Sequence, residues 1–386
     1  MSWRCIVVQG KKLVLLGGLV IGLISVLLVF FGNPGNMGYC IACFIRDTAG
    51  ALGVHQAAAV QYIRPEIIGL VLGAFIAALI GKEFMPRGGS SPVTRFILGF
   101  MVMVAALVFL GCPLRMVLRI AGGDLNAIVG LVGFAAGIVA GVFFLKKGYS
   151  LKRTHKMPLT DGISLPVIQL GLLALLLTAP AFIFFSESGP GSMHAPIIIS
   201  LIAGLIVGVL AQRSRLCMVG GIRDLILFKD WTLLLGFVVI LIAAAIANVC
   251  FGFFHVGFAG QPIAHTDGLW NFLSMAAVGL GSVMLGGCPL RQLILSGEGN
   301  SDSVITVFGY FVGAAFAHNF KLASSATTVT DGVVSGGPTL AGKIATVGIL
   351  VVLVVIAVIN TKKKSALASD QQLAEKVEPA DLQAAK

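Results

Sequence analysis

Long apolar runs alternate with short polar or glycine-rich breaks along almost the whole chain. A helix needs about 20 apolar residues to cross a bilayer, fewer where polar turns complete it. Ten runs are read as crossing helices: Leu13–Phe31, Pro65–Gly81, Val93–Gly111, Leu125–Leu145, Pro166–Phe185, Ile197–Ala211, Thr232–Cys250, Leu269–Gly286, Val304–Ala317 and Ile344–Ile359. Between them lie four segments too short or too charged to cross, each beginning at a cysteine: Cys40–Gly53, Cys112–Gly122, Cys217–Phe228 and Cys288–Gly297. The pattern predicts a short helix for each. Pro113 and Pro289 suit a first helical position, where the missing amide hydrogen would be unpaired anyway. Gly122-Gly123 and Gly297-x-Gly299 mark helix ends.

Composition raises this pattern to a class. Of 386 residues 57% are hydrophobic and 11% charged. A soluble core cannot absorb that much apolar surface, so the expected fold is an all-α polytopic membrane protein. The net charge of +11 would suggest nucleic acid in a soluble protein. Here the basic residues fall in short loops and tails, where they set topology, and nucleic-acid binding is excluded. The run Leu13–Phe31 follows Arg4, Lys11 and Lys12 as a signal peptide would. It is longer than a signal core and lacks a small-x-small cleavage site, so it reads as a retained span.

The chain is also duplicated. Gly-Cys-Pro-Leu-Arg occurs at Gly111–Arg115 and again at Gly287–Arg291. Cys-x4-Ile-Arg-Asp occurs from Cys40 to Asp47 and from Cys217 to Asp224, at an offset differing by one residue. The expected units are a first repeat (1–150), a linker with an unmatched span (151–194), a second repeat (195–320), a last span (321–361) and a disordered tail (362–386). Four spans plus one unmatched span is an odd number, so the second repeat enters from the opposite face. Inverted repeats are a transporter architecture with the site near the bilayer midplane. Lysines and arginines collect on one side, at Lys82, Arg87, Arg95, Lys146, Lys147 and Lys362–Lys364, whereas Ser186–Pro196 and Phe251–Gly268 carry none. The positive-inside rule then places both termini in the cytoplasm. Cys40 and Cys112 fall toward the outer side and Cys217 and Cys288 toward the inner, a ladder of four thiols.

The repeated element is chemical. In Gly-Cys-Pro-Leu-Arg the cysteine falls at the N-cap and the arginine at the third helical position. A thiol there meets unpaired amides and the positive end of the helix dipole, and the same parts bind anions. Arg115 and Arg291 are therefore candidate anion contacts. Arg46-Asp47 and Arg223-Asp224 read mainly as ion pairs holding the short helices in place, with direct substrate contact as the other reading. Cys43 forms a C-x-x-C with Cys40, but Gly220 stands at the corresponding place in the second repeat. Cys43 is thus an accessory thiol or a packing residue. No nucleotide loop, H-E-x-x-H or nucleophile elbow occurs. No cofactor and no metal site is expected.

With these strings the chain resembles the YeeE/YedE family, over roughly Leu13 to Ile359. The resemblance implies an hourglass-shaped bacterial inner-membrane protein with re-entrant short helices, whose best-characterised members transport thiosulfate past cysteines. The doubled Gly-Cys-Pro-Leu-Arg resembles the subgroup associated with selenium metabolism. It implies that Cys40, Cys112, Cys217 and Cys288 line the path of a small selenium- or sulfur-containing anion, passed between S–H groups by weak hydrogen bonds. A cytoplasmic sulfur-carrier protein is the implied partner. The alternatives are a thiosulfate uptake transporter and a membrane thiol enzyme for persulfide or selenium transfer, with Cys40 and Cys43 or a ladder cysteine as nucleophile. A soft-metal transporter is disfavoured by the arginine beside each Cys-Pro.

Overall fold

A computed structural model describes residues 3–330 and 333–377. The first repeat comprises α1 (Trp3–Phe30), α2 (Ile41–Ala51), α3 (Pro65–Ile80), α4 (Pro92–Phe109), α5 (Pro113–Ala121) and α6 (Leu125–Lys146). After α7 (Leu159–Thr178) the second comprises α8 (Ile197–Ser214), α9 (Met218–Phe228), α10 (Thr232–Cys250), α11 (Gly268–Leu285), α12 (Pro289–Gly297) and α13 (Ser301–Asn319). The chain ends on α14 (Leu340–Val377). Two small antiparallel pairs complete the set: β1 (Arg87–Gly88) with β2 (His155–Lys156), and β3 (Ser325–Thr330) with β4 (Val333–Gly337).

The architecture is the expected all-α polytopic one. Among the described residues, nine segments are long and apolar enough to cross a membrane, three of them made of a long helix and the short helix that follows it. The tenth expected span, α13, has 19 residues, but Asp302, Thr306, Tyr310 and His318 lower its apolarity. α7 starts seven residues before the expected Pro166 and ends at Thr178, short of the expected Phe185. Pro166 sits inside this helix rather than opening it, and Pro180 stops it by disfavouring helical backbone at Ala179. The segment from residue 362, expected to be disordered, continues α14 as helical backbone to Val377. Its alanine-, lysine- and glutamine-rich composition favours helix. Glu378–Lys386 lie outside the described residues.

Contacts between helices repeat in crossed fashion. α1 packs on α10 as α8 packs on α3, and α4 on α13 as α11 on α6. The short helices follow: α5 on α10 as α12 on α3, and α2 on α13 as α9 on α6. α4 meets α11 and α1 meets α8, each helix touching its own counterpart. Exchanging the two sets of helices leaves this contact pattern unchanged.

Glycines let these pairs approach. Helices in lipid gain little from hydrophobic burial and hold together by close packing of small residues. Gly69 and Gly73 on α3 abut the backbone of α8 at Leu201 and Leu205, and Gly204 and Gly208 return the contact. Gly133 and Gly137 on α6 abut Phe272 and Ala276 of α11. Their counterparts Gly309 and Gly313 on α13 abut Phe96 and Phe100 of α4. A methyl group at any of these positions would strike a backbone carbonyl oxygen.

Candidate functional site

All four repeated cysteines start short helices, as N-caps. Cys40 and Cys217 have extended backbones (φ −129°, ψ 109° and φ −157°, ψ 114°), and each sulfur accepts a hydrogen bond from the amide three residues on, Cys43 and Gly220, at 3.3 Å. Cys112 and Cys288 are extended likewise and precede a proline at the first helical position. The structure then brings the cysteines together in two pairs. The thiols of Cys40 and Cys112 lie side by side, as do those of Cys217 and Cys288. Cys112 also lies against the Ala42 amide of α2, and Cys288 against the Met218 amide of α9. Each pair thus marks the place where two helix N-termini meet. None of the four cysteines is more than 6% exposed.

Two positive helix ends converging on two thiols make a site for a soft anion. Unpaired first-turn amides and the dipole favour negative charge, and an S–H donates only a weak hydrogen bond. Such an arrangement can attract an anion without holding it tightly.

The arginines are less free than their spacing suggested. Arg115 is fully buried and ties distant loops together: its Nε donates to the Asn36 carbonyl at 3.1 Å and Nη2 to the Ile263 carbonyl at 3.0 Å. Its Nη1 donates to the Leu110 carbonyl and reaches the Cys43 sulfur at 3.6 Å. Arg291 donates from Nη1 to Glu298 at 3.0 Å. Both place positive charge near the thiols; the donors of Arg115 are held by carbonyls and by Cys43, whereas Arg291 is held through Nη1. Arg46 donates from Nε and Nη2 to Asp47 at 2.8 and 2.6 Å. Arg223 donates from Nε to Asp224 at 2.8 Å. Each arginine thus pairs with the aspartate beside it. Cys43 belongs to the first pair: its amide and thiol face Cys40, so three thiols cluster there against two at the other site.

Several residues of the surroundings carried no sequence signal. Arg64 completes the first ion pair, its Nε meeting the second Asp47 oxygen at 2.8 Å. Arg119 pairs with Asp124 at 2.6 Å beneath Phe109 and is buried with it. Glu66 is fully buried, with Asn33 and Ser200 donating to it at 2.9 and 3.0 Å. Tyr310 on α13 is fully buried and its hydroxyl has no partner among the described residues. Only the repeat register could have flagged Tyr310, because Gly309-Tyr310 stands where the first repeat has Gly133-Phe134.

Parts of the chain are similar to known proteins. A family model described as "Sulphur transport" matches residues 213–384, which hold Cys217, Arg223, Asp224, Cys288 and Arg291. The thiosulfate transporter TsuA of Escherichia coli (strain K12) is 32% identical over 124 residues, 32% of this chain. The aligned part spans 34% of that relative's length. Both likenesses are to proteins described as carrying sulfur compounds.

Proposed function

We propose that this chain is a bacterial inner-membrane transporter of a small sulfur- or selenium-containing anion, and not an enzyme. The observation that carries the reading is the pairing of the four repeated cysteines at meeting helix N-termini, once in each repeat. In this reading the repeats, 1–150 and 195–320, are inverted. The pair Cys40–Cys112 then serves the outer half of the path and Cys217–Cys288 the inner half. The crossed helix contacts support an exchange axis, and an odd number of crossings between repeats turns that axis into the membrane plane. Both termini lie in the cytoplasm, on the side of the basic loops.

An anion enters because the four helix ends offset part of its desolvation. It steps from one thiol pair to the other through weak S–H contacts. Arg115, its donors held by carbonyls, supplies field rather than direct grip. Thiosulfate is the first substrate to test, since TsuA is named for it and aligns with part of this chain. A selenium oxyanion is the second, from the doubled Gly-Cys-Pro-Leu-Arg. A cytoplasmic sulfur-carrier protein is the proposed acceptor.

The test is competitive uptake of labelled thiosulfate, selenite and sulfate into cells lacking their own carriers, by the intact chain and by Cys112→Ala/Cys288→Ala. Cysteine-dependent uptake of thiosulfate or selenite, with sulfate excluded, is the expected result. A covalent adduct on one cysteine without any uptake would instead favour a thiol enzyme.

A further inference from the structure

Five carboxylates are buried among the described residues: Asp47, Glu66, Asp124, Glu298 and Asp302. Four of them meet an arginine, and Glu66 forms no ion pair. Glu66 follows Pro65 in the first turn of α3, so unpaired amides and the positive end of that helix offset its charge in place of a cation. Its Oε1 accepts from Asn33 Nδ2 at 2.9 Å and from Ser200 Oγ on α8 at 3.0 Å. Its backbone carbonyl accepts from Tyr39 Oη at 2.8 Å. Asn33 Nδ2 also donates to the Gly38 carbonyl at 3.1 Å, and Asn33 Oδ1 accepts from the Ala195 amide at 2.9 Å. These bonds converge on one segment, Phe31–Tyr39, which leads from the end of α1 to Cys40.

The second repeat lacks both the segment and its anchor. Only Arg215 and Leu216 separate α8 from Cys217. Gly204 of α8 faces the Glu66 carbonyl of α3, and at the matching crossing Gly18 of α1 faces the Gly236 carbonyl of α10. Gly236 therefore stands in the place of Glu66. Val14, which touches Gly236, stands in the place of Ser200. A short link to an N-cap needs no anchor. A long one loses conformational entropy when it is ordered, and hydrogen bonds to a charged group offset that cost. The far side of Phe31–Tyr39 is held from α5, where Arg115 donates to the Asn36 carbonyl at 3.1 Å. Cys40 is thus suspended between Glu66 and the helix that begins at Cys112.

We propose that Glu66 is the positioning residue of the Cys40–Cys112 pair: it fixes the segment Phe31–Tyr39 and so holds the Cys40 sulfur against that of Cys112. It touches no substrate. That the pair serves transport rests on the reading above.

Disulfide formation under mild oxidation with diamide tests the assignment, read by mass spectrometry of peptides from the intact chain, Glu66→Ala, Glu66→Gln and Tyr39→Phe. The Cys217–Cys288 pair of the same molecules is the internal control. Glu66→Ala should slow Cys40–Cys112 closure about tenfold, the scale of a lost hydrogen bond to a charged group, and leave Cys217–Cys288 closure unchanged. In Glu66→Gln the amide oxygen still accepts from Asn33 and Ser200, and closure should stay within about twofold of the intact chain. Tyr39→Phe removes only a hydroxyl, should slow the same closure about fivefold, and carries the test where Glu66→Ala fails to fold. Closure that is unchanged in Glu66→Ala and Tyr39→Phe, slowed equally at both pairs, or absent from the intact chain overturns the assignment. Thiosulfate uptake into proteoliposomes of the same variants should fall in parallel with closure. Absence of uptake by the intact chain overturns the transporter reading, and the closure rates still decide the assignment.

Discussion

The two repeats share a backbone plan and differ in how their charges are buried. In the first, Asp47 is gripped by Arg46 and Arg64, and all three side chains are at most 3% exposed. In the second, Arg223 and Asp224 are 29% and 20% exposed and form a single contact. At three matching buried positions the contrast reverses: the first repeat has Ala106, Met116 and Phe134 where the second has Ser282, Gln292 and Tyr310. The half with the more rigid ionic scaffold is apolar there, and the half with the looser scaffold carries hydroxyls and an amide. Duplication preserved what positions the helix ends, namely N-cap cysteines, proline and glycine contacts. It left these buried positions free to diverge.

The largest effect should come from breaking this charge asymmetry. Asp47→Ala strands two buried arginines, and removing one member of a buried ion group costs about 3–5 kcal/mol. Asp224→Ala frees one arginine that already reaches solvent, at about 0–1 kcal/mol. Thermal unfolding in detergent should therefore show a large loss of stability for the first variant and little for the second. Equal losses would mean that the two ion pairs play the same part.

An intermediate effect should show where the repeats agree. Gly133→Ala and Gly309→Ala each press a methyl group onto a facing carbonyl, at Phe272 and at Phe96. Overpacking of this kind costs about 1–3 kcal/mol. The two variants should be destabilised alike, which the same unfolding assay reads. Gly171→Ala on α7 meets nothing within 4 Å and should be neutral or stabilising by about 0.5–1 kcal/mol. A cost at only one of the paired glycines would contradict the two-fold contact pattern.

The smallest effect should come from making the first pair resemble the second. Cys43→Gly removes the third thiol and leaves the Cys40–Cys112 pair intact. Thiosulfate uptake should stay within about twofold of the intact chain, a change of under half a kcal/mol. A loss as large as that of Cys112→Ala would promote Cys43 to the pathway.

Much of this molecule could be read before its structure. Hydropathy and the repeat located ten long helices and four short ones, because apolar runs in a membrane protein must be helical and the cysteine strings set the short ones in register. α7 was misplaced because Thr160, Asp161 and Ser164 make its first turns polar, which hid the start, and Pro166 looked like an opening residue. The sequence set Cys40 and Cys112 toward one side and Cys217 and Cys288 toward the other, but not that the members of each set adjoin. That pairing depends on how α2 meets α5 and α9 meets α12, a tertiary fact with no local signature. Arg64 was invisible for the same reason: its partner Asp47 lies 17 residues away across a turn.

The central claim is that the two thiol pairs act in series on one path. The direct measurement is thiosulfate uptake into proteoliposomes by Cys112→Ala, by Cys288→Ala and by the double variant. In series, each single substitution reduces uptake as far as the double one does. Single variants that each retain about half of the intact rate, with the double variant losing the remainder, would mean two parallel routes and contradict the account.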